Sequence, residues 1–338
     1  TAGASLTVTG AKFQIGGAIA NNGSFDVTNG TIEMNGSLIQ NIPANIFVND
    51  ALKNLIVSNS NAAGLTLNGR LDIYRSLGFG PAGLKLNTNG FLTLKSTAQE
   101  TAWLEDMTGK NIMGDVTVER YIPDHFKAWQ FLAIPVSGNQ TVNEAWQDTA
   151  TAPNQNRYPG YGTMLTGNME NAVTLGFDVY TPAGPSIKVF NSSSAVYDGI
   201  VNTRLLPVAN AKGYMVLLRG DRSVVASNQA ATATTLRTKG NLFTPSNPPV
   251  MINVGAGKFE SVGNPYASAI DFSSVVKTGG VQTDFFYLWD PKLTSTINSA
   301  YGLGGFQTFS WNGSAFDVTP GGGSYTGLNR SIESGQAF

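Results

Sequence analysis

Two stretches set the character of the chain: Asn68-Gly69-Arg70-Leu71-Asp72-Ile73 and, twenty-one positions later, Asn89-Gly90-Phe91-Leu92-Thr93-Leu94. Both read Asn-Gly-x-Φ-x-Φ, where Φ is apolar, and the same pattern occurs at Asn22-Gly23-Ser24-Phe25-Asp26-Val27 and Asn29-Gly30-Thr31-Ile32-Glu33-Met34. Asn-Gly is turn chemistry that tolerates positive φ, and the alternation after it puts two apolar side chains on one face of a strand. A second phrase, Ala63-Gly64-Leu65-Thr66-Leu67-Asn68, returns as Ala82-Gly83-Leu84-Lys85-Leu86-Asn87, a spacing of 19 residues. Asn-Gly by itself also fits a meander of hairpins. A return near 20 residues with two or three short strands per period instead fits the rungs of a β-solenoid, and a parallel β-helix-like stack over residues 1–111 is the expectation.

From residue 112 the grammar changes. Four of the five Trp (Trp129, Trp146, Trp289, Trp311) lie here, and the repeat fades. Strand candidates follow one another with turn signals between them: Asp115–Tyr121, Trp129–Pro135, Phe177–Tyr180, Ser186–Phe190, Gly213–Arg219, Thr232–Arg237, Val250–Val254, Glu260–Val262, Phe285–Trp289, Gly305–Trp311 and Ala315–Val318. Such spacing predicts a β-sandwich or jelly roll over 112–338. The end at Gly335-Gln336-Ala337-Phe338 reads as a strand just starting, so the module is expected to be truncated at its C-terminal end. Helix is confined to short candidates at Val142–Asp148, Ala150–Asn156 and Ala269–Val276, and the fold class is all-β.

Composition narrows the chemistry. The 338 residues include no Cys and one His, so neither a disulfide framework nor a thiolate nucleophile nor a multi-histidine metal site can be built within one chain. Charged residues make up 13%, well under the ordinary quarter, while Asn and Thr number 31 and 32; polarity is carried by uncharged groups. A net charge of −1 without a basic run gives no footprint for nucleic acid. No apolar run has the length of a membrane-spanning helix.

Individual residues offer little catalysis. His125 sits in a polar connector with no Gly-x-Ser-x-Gly elbow to accompany it. Gly255-Ala256-Gly257-Lys258-Phe259 lacks the spacing and hydroxyl of a phosphate loop and reads as a hairpin turn. Asp178, Asp198, Asp221, Glu260, Asp271, Asp284 and Asp290 are dispersed; they leave open a carboxylate pair or an irregular Ca²⁺ site, but turn-forming is the plainer role. No cofactor is expected and the chain is not expected to be an enzyme. The candidate ligand residues are Tyr158 and Tyr161 in Arg157-Tyr158-Pro159-Gly160-Tyr161-Gly162, two rings that can stack on a sugar or pack on their own domain.

Several phrases of the second half resemble a β-sandwich module of large secreted surface proteins of Bacteroidota. These are Val116-Thr117-Val118-Glu119-Arg120-Tyr121-Ile122-Pro123, Trp129-Gln130-Phe131-Leu132-Ala133-Ile134-Pro135-Val136, Gly213-Tyr214-Met215-Val216, Gly263-Asn264-Pro265-Tyr266-Ala267-Ser268, Phe286-Tyr287-Leu288-Trp289-Asp290 and Ser334-Gly335-Gln336-Ala337-Phe338. The first half resembles the Asn/Gly-rich repeats that precede that module, as in Ile39-Gln40-Asn41-Ile42-Pro43 and Asn54-Leu55-Ile56-Val57-Ser58-Asn59-Ser60. The resemblance implies export by the type IX route and an extracellular or cell-surface location, and it brings no catalytic residues. The function expected is a structural or adhesive surface protein whose exposed β edges pair with copies of itself into fibres. The alternative is a carbohydrate-binding module that takes surface glycans.

Overall fold

The computed structural model describes residues 3–124, 126–168, 172–281, 284–293, 296–298, 301–326 and 331–338. It is an all-β chain built on a β-solenoid of about five turns. Strands β1 (Ser5–Ile15), β2 (Ser24–Met34), β4 (Ala51–Val57), β6 (Leu71–Phe79) and β8 (Leu92–Leu94) lie side by side in one parallel sheet. Strands β3 (Gln40–Pro43), β5 (Leu65–Asn68), β7 (Lys85–Asn87) and β10 (Asn111–Met113) form a second parallel sheet, while β9 (Trp103–Leu104) pairs with β6. Every neighbour is parallel, so Asn22-Gly23, Asn68-Gly69 and Asn89-Gly90 lie at corners between strands rather than in hairpins, while Asn29-Gly30 falls inside β2.

The alternation places its apolar residues as predicted. Val27, Leu52, Ile73 and Leu94 are partners in successive strands and all are buried, as are Ile32, Leu55 and Leu77 in the next column. Each such side chain contributes roughly 1.5–3 kcal/mol by leaving water, and none could do so without the rungs on either side. The period, however, is not 19. Only β1 and β2 are offset by 19 residues (Phe13 opposite Ile32); Leu71 faces Leu92, Leu52 faces Ile73, and Lys85 faces Asn111. The repeated phrase is misaligned by two, since Leu65 pairs with Leu86 while Leu84 points to solvent. A two-residue shift preserves the inward face, which is why the sequence conceals it.

Glycine also serves a different purpose from the one its dipeptides imply. Asn89 and Gly90 do take positive φ, 48° and 76°. Gly23, Gly30 and Gly69 do not; a Cβ on each would meet the backbone of the preceding rung at Ala4, Val8 and Ala44. Their role is close stacking.

Outside the core, the rungs are tied by a mostly uncharged polar ladder. Asn54 donates to the Thr31 hydroxyl and Ser76 donates to the Asn54 side-chain oxygen, each at 3.0 Å. Glu33 is an ionic tie between the first two strands, with Lys12 at 2.6 Å, the Ser58 hydroxyl at 2.6 Å and the Gln14 amide at 2.8 Å. Those donors hold its carboxyl down to about 2 from an ordinary 4.5. A depressed folded-state value stabilises the fold above the unfolded value and is lost as pH falls through the folded one. Stability of the solenoid is therefore expected to decline between about pH 4.5 and about pH 2, and urea unfolding of Glu33→Gln should show a shallower decline across that interval.

The parallel sheet continues beyond residue 111. Strand β11 (Val116–Ile122) joins β8 in parallel register, and β17 (Thr234–Leu242) then adds antiparallel to β11, with β13 (Val136–Ser137) on its far edge. A six-stranded sheet carries β12 (Lys127–Leu132), β14 (Ile187–Asn191), β15 (Val196–Gly199) and β16 (Tyr214–Leu218), together with β20 (Thr296–Asn298) and β21 (Tyr301–Gly302). Smaller sheets pair β18 (Ile270–Asp271) with β24 (Ser331–Ile332), and β19 (Phe285–Asp290) with β22 (Gly305–Trp311) and β23 (Phe316–Thr319). Phe177–Tyr180, Val250–Val254 and Glu260–Val262, expected as strands, are not strands; Gly255 and Lys258 close a turn, but its arms do not pair. Of the helix candidates, α1 (Val142–Trp146) forms behind a Thr141/Glu144 capping box, Phe272–Ser274 makes one 3₁₀ turn, and Ala150–Asn156 is non-helical.

One continuous apolar cluster runs from Val8 of the first rung to Ala267, so solenoid and second half share a core. The polar joint between them is the Gly263-Asn264-Pro265-Tyr266-Ala267-Ser268 segment. Ser268 both receives the Leu104 N–H and donates to the Leu104 carbonyl, on β9 of the solenoid. The fully buried Asn264 amide donates to the carbonyls of Ser268, Ile332 and Glu333, and its oxygen accepts from the Tyr266 N–H. The last residues lie between two partners: Ala133 N–H to Gly335 and Ala337 N–H to Phe131 on one side, Asn264 N–H to Gln336 and a reciprocal Val262–Phe338 pair on the other. Two phrases about 70 positions apart thus hold each other, the 262–268 segment and the last residues of the chain.

Candidate functional site

The platform carrying Tyr158 and Tyr161 rests on the solvent face of the capping strand. Along β17, Leu236 and Thr238 point inward while Arg237 and Lys239 point out, as the period of two requires. Glu119 of β11 stands opposite Arg237. Lys95, just after β8, reaches Glu119 at 2.5 Å. Burial pushes the Lys95 ammonium down, but the Glu119 carboxylate outweighs that and holds it above its ordinary value.

The 157–162 loop is stitched to this face by backbone bonds: Thr235 N–H to the Gly160 carbonyl at 2.9 Å and Gly162 N–H to the Thr235 carbonyl at 3.0 Å. Tyr161, half-buried, lies against Arg237, whose guanidinium carbon is 4.1 Å from the ring centroid, with Lys95 at 5.9 Å. That ring already serves as a cation–π partner. Tyr158 remains 43% exposed and has two guanidinium groups beside it, Arg157 at 5.3 Å and Arg237 at 5.2 Å from its centroid.

Both guanidinium groups are held by one strained corner. Immediately after α1, Asp148 and Thr149 adopt φ of 54° and 61°, a region costly for a β-branched residue. Asp148, buried, grips Arg237 through Nε at 3.1 Å and Nη2 at 2.6 Å. The Thr149 hydroxyl accepts from Arg157 Nη1 at 3.2 Å.

Beneath the loop is a fully internal ion pair. Asp178 and Arg222 have side chains 1% exposed and make a two-point contact at 2.7 and 2.9 Å. Asp178 accepts further from the Gln147 amide and the backbone N–H groups of Asn154 and Leu165. Arg222 donates to the carbonyls of Gln155 and Thr163, one on each side of the tyrosine loop. Asp221 accepts from Gly160 N–H, Ser223 and Thr232; burial pushes its carboxyl up, and these donors more than reverse the effect, leaving it below the usual range.

Other carboxylates noted in the sequence are also structural ties. Asp290 accepts from Ser324 and the Lys292 N–H, Asp271 caps the 3₁₀ turn, and Asp198 accepts from Asn191 across the β14–β15 hairpin. His125 lies outside the described residues. Among the described residues no three His, Cys, Asp or Glu side chains converge as a metal-binding group, and no helix is long and apolar enough to cross a membrane. Trp289 packs on Phe306 and donates to the Trp129 carbonyl, a wall of the second half rather than a platform.

Local sequence marks the two tyrosines and Arg157, but not Arg237 or Asp148, which meet across 89 positions. Only the outward place of Arg237 in the β17 alternation hints at it. No protein-family model, curated protein or solved structure matches the chain.

Proposed function

We propose that the chain is a non-enzymatic structural or adhesive element of an extracellular cell surface that self-associates through its solenoid. The observation that carries this is the first described rung. Among the described residues strand β1 pairs with β2 alone, its Leu6 and Phe13 are 42% and 38% exposed, and beside them opens a hollow of about 320 Å³ lined also by Ile15, Ile19 and Phe25. Such an edge offers unpaired backbone and an apolar stripe to a further strand. A strand from a second copy would make a head-to-tail contact that need not close, which is how fibres arise. The resemblance to Bacteroidota surface proteins supports the same reading and adds type IX export to the outer surface. Negative-stain electron microscopy of concentrated protein tests it: fibres are expected, and monodisperse particles at every concentration overturn it.

A second reading, a carbohydrate-binding module, is favoured by the exposed Tyr158 ring on its rigid support. Aromatic faces of this kind stack on sugar rings.

A further inference from the structure

The tyrosine platform has a feature that neutral sugar binding does not use. Arg237 is satisfied by the two-point contact with Asp148, and Lys95 is satisfied by Glu119. Arg157 is different: it is exposed, its hydrogen bond is a single one from Nη1 to the uncharged Thr149 hydroxyl, and no carboxylate among the described residues pairs with it. Asp148 is taken up by Arg237, and Asp221, which binds this loop, is met by Gly160, Ser223 and Thr232. Arg157 therefore presents most of a planar donor fork at the rim of an exposed aromatic ring.

We propose that Arg157, Tyr158 and Arg237 form a subsite for a uronic acid residue of a polysaccharide, the sugar lying on the exposed part of the Tyr158 ring and its carboxylate in the Arg157 fork. This rests on the carbohydrate-binding reading and sharpens its substrate class. A neutral sugar on Tyr158 would cover the Arg157 guanidinium without giving it a counter-charge, an unfavourable desolvation. A carboxylate gains the charge-assisted, two-point geometry that guanidinium matches best. The strained Asp148–Thr149 corner has a use in this arrangement. It fixes Arg237 through Asp148 and Arg157 through Thr149, so both cations are positioned before the ligand arrives.

The test is a glycan array that carries glucuronate, galacturonate, sialylated, sulfated and neutral oligosaccharides, followed by titration calorimetry with an oligogalacturonate and its methyl ester. The subsite predicts retention of uronate-bearing glycans, at least tenfold weaker binding of the methyl ester, and at least tenfold weaker binding by Arg157→Gln. Arg157 is exposed, so that variant should keep the wild-type melting profile, which separates lost binding from lost fold. Equal binding of neutral and uronate glycans, or preference for sulfated ones, overturns the uronate assignment while leaving carbohydrate binding intact. Full binding by Arg157→Gln overturns the role of the fork. Retention of no glycan at all overturns both this proposal and the reading beneath it.

Discussion

Replacing Arg222 by Met is expected to cost the fold about 3–5 kcal/mol, because it strands the Asp178 carboxylate in the interior. The pair is 1% exposed on both sides, so water cannot replace the lost partner. The damage should also reach the loop above. Arg222 holds the Gln155 and Thr163 carbonyls, and without it the backbone on both sides of Tyr158 and Tyr161 loses an anchor. Urea unfolding of Arg222→Met should give a much lower midpoint. Asp178→Asn should be comparably destabilising, since every group around Asp178 is a donor, so its new NH2 meets one of them while the buried Arg222 charge loses its counter-charge. Equal stability of wild type and Arg222→Met would contradict this account of the ion pair.

The second large effect is expected at Asn264. Its side chain makes three donated bonds and one accepted bond, with no access to water. Asn264→Ala leaves several buried partners unmet, a loss on the order of 3 kcal/mol. Asn264→Asp is the sharper variant. It keeps the shape but turns an oxygen toward the carbonyls of Ser268, Ile332 and Glu333, so it should be at least as destabilising as Ala. Hydrogen exchange should show the consequence locally, with protection lost at the Ala337 and Phe338 amides that bond to Phe131 and Val262. Unchanged protection there would mean that Asn264 does not hold the C-terminal segment.

The solenoid was legible because its signal is local. An inward stripe such as Leu71 and Ile73, or Leu92 and Leu94, is visible in six residues, and its return shows that neighbours must cover it. The rung length was less legible, because corners vary while the stripe keeps its face; Leu86 rather than Leu84 is the partner of Leu65. The second half yields its strands one at a time but not their pairing. Val250–Val254 has the alternation of a strand and forms none, since strand formation needs a partner edge as well as a pattern. The site divides the same way. Tyr158 and Arg157 are adjacent in sequence, whereas the Asp148–Arg237 contact and the Arg222–Asp178 pair exist only after the chain has folded back over 89 and 44 positions.

The scarcity of charge also has a structural location. The contacts between β2, β4 and β6 at Thr31, Asn54 and Ser76 are uncharged, and ions enter the stack at Lys12–Glu33, between β1 and β2, and at Lys95–Glu119, between the end of β8 and β11. The self-association proposed at β1 rests on its exposed Leu6 and Phe13.

Sedimentation velocity across a concentration series, comparing wild type with Leu6→Lys/Phe13→Lys, tests that central claim most directly. Because Phe13 also packs edge-on against Phe25, circular dichroism and thermal melting of the double variant, expected to match the wild type, are recorded alongside. The wild type is predicted to form species whose mass grows with concentration, and the double variant to remain a monomer. A wild type that stays monomeric throughout, or a double variant that assembles equally well, would contradict it.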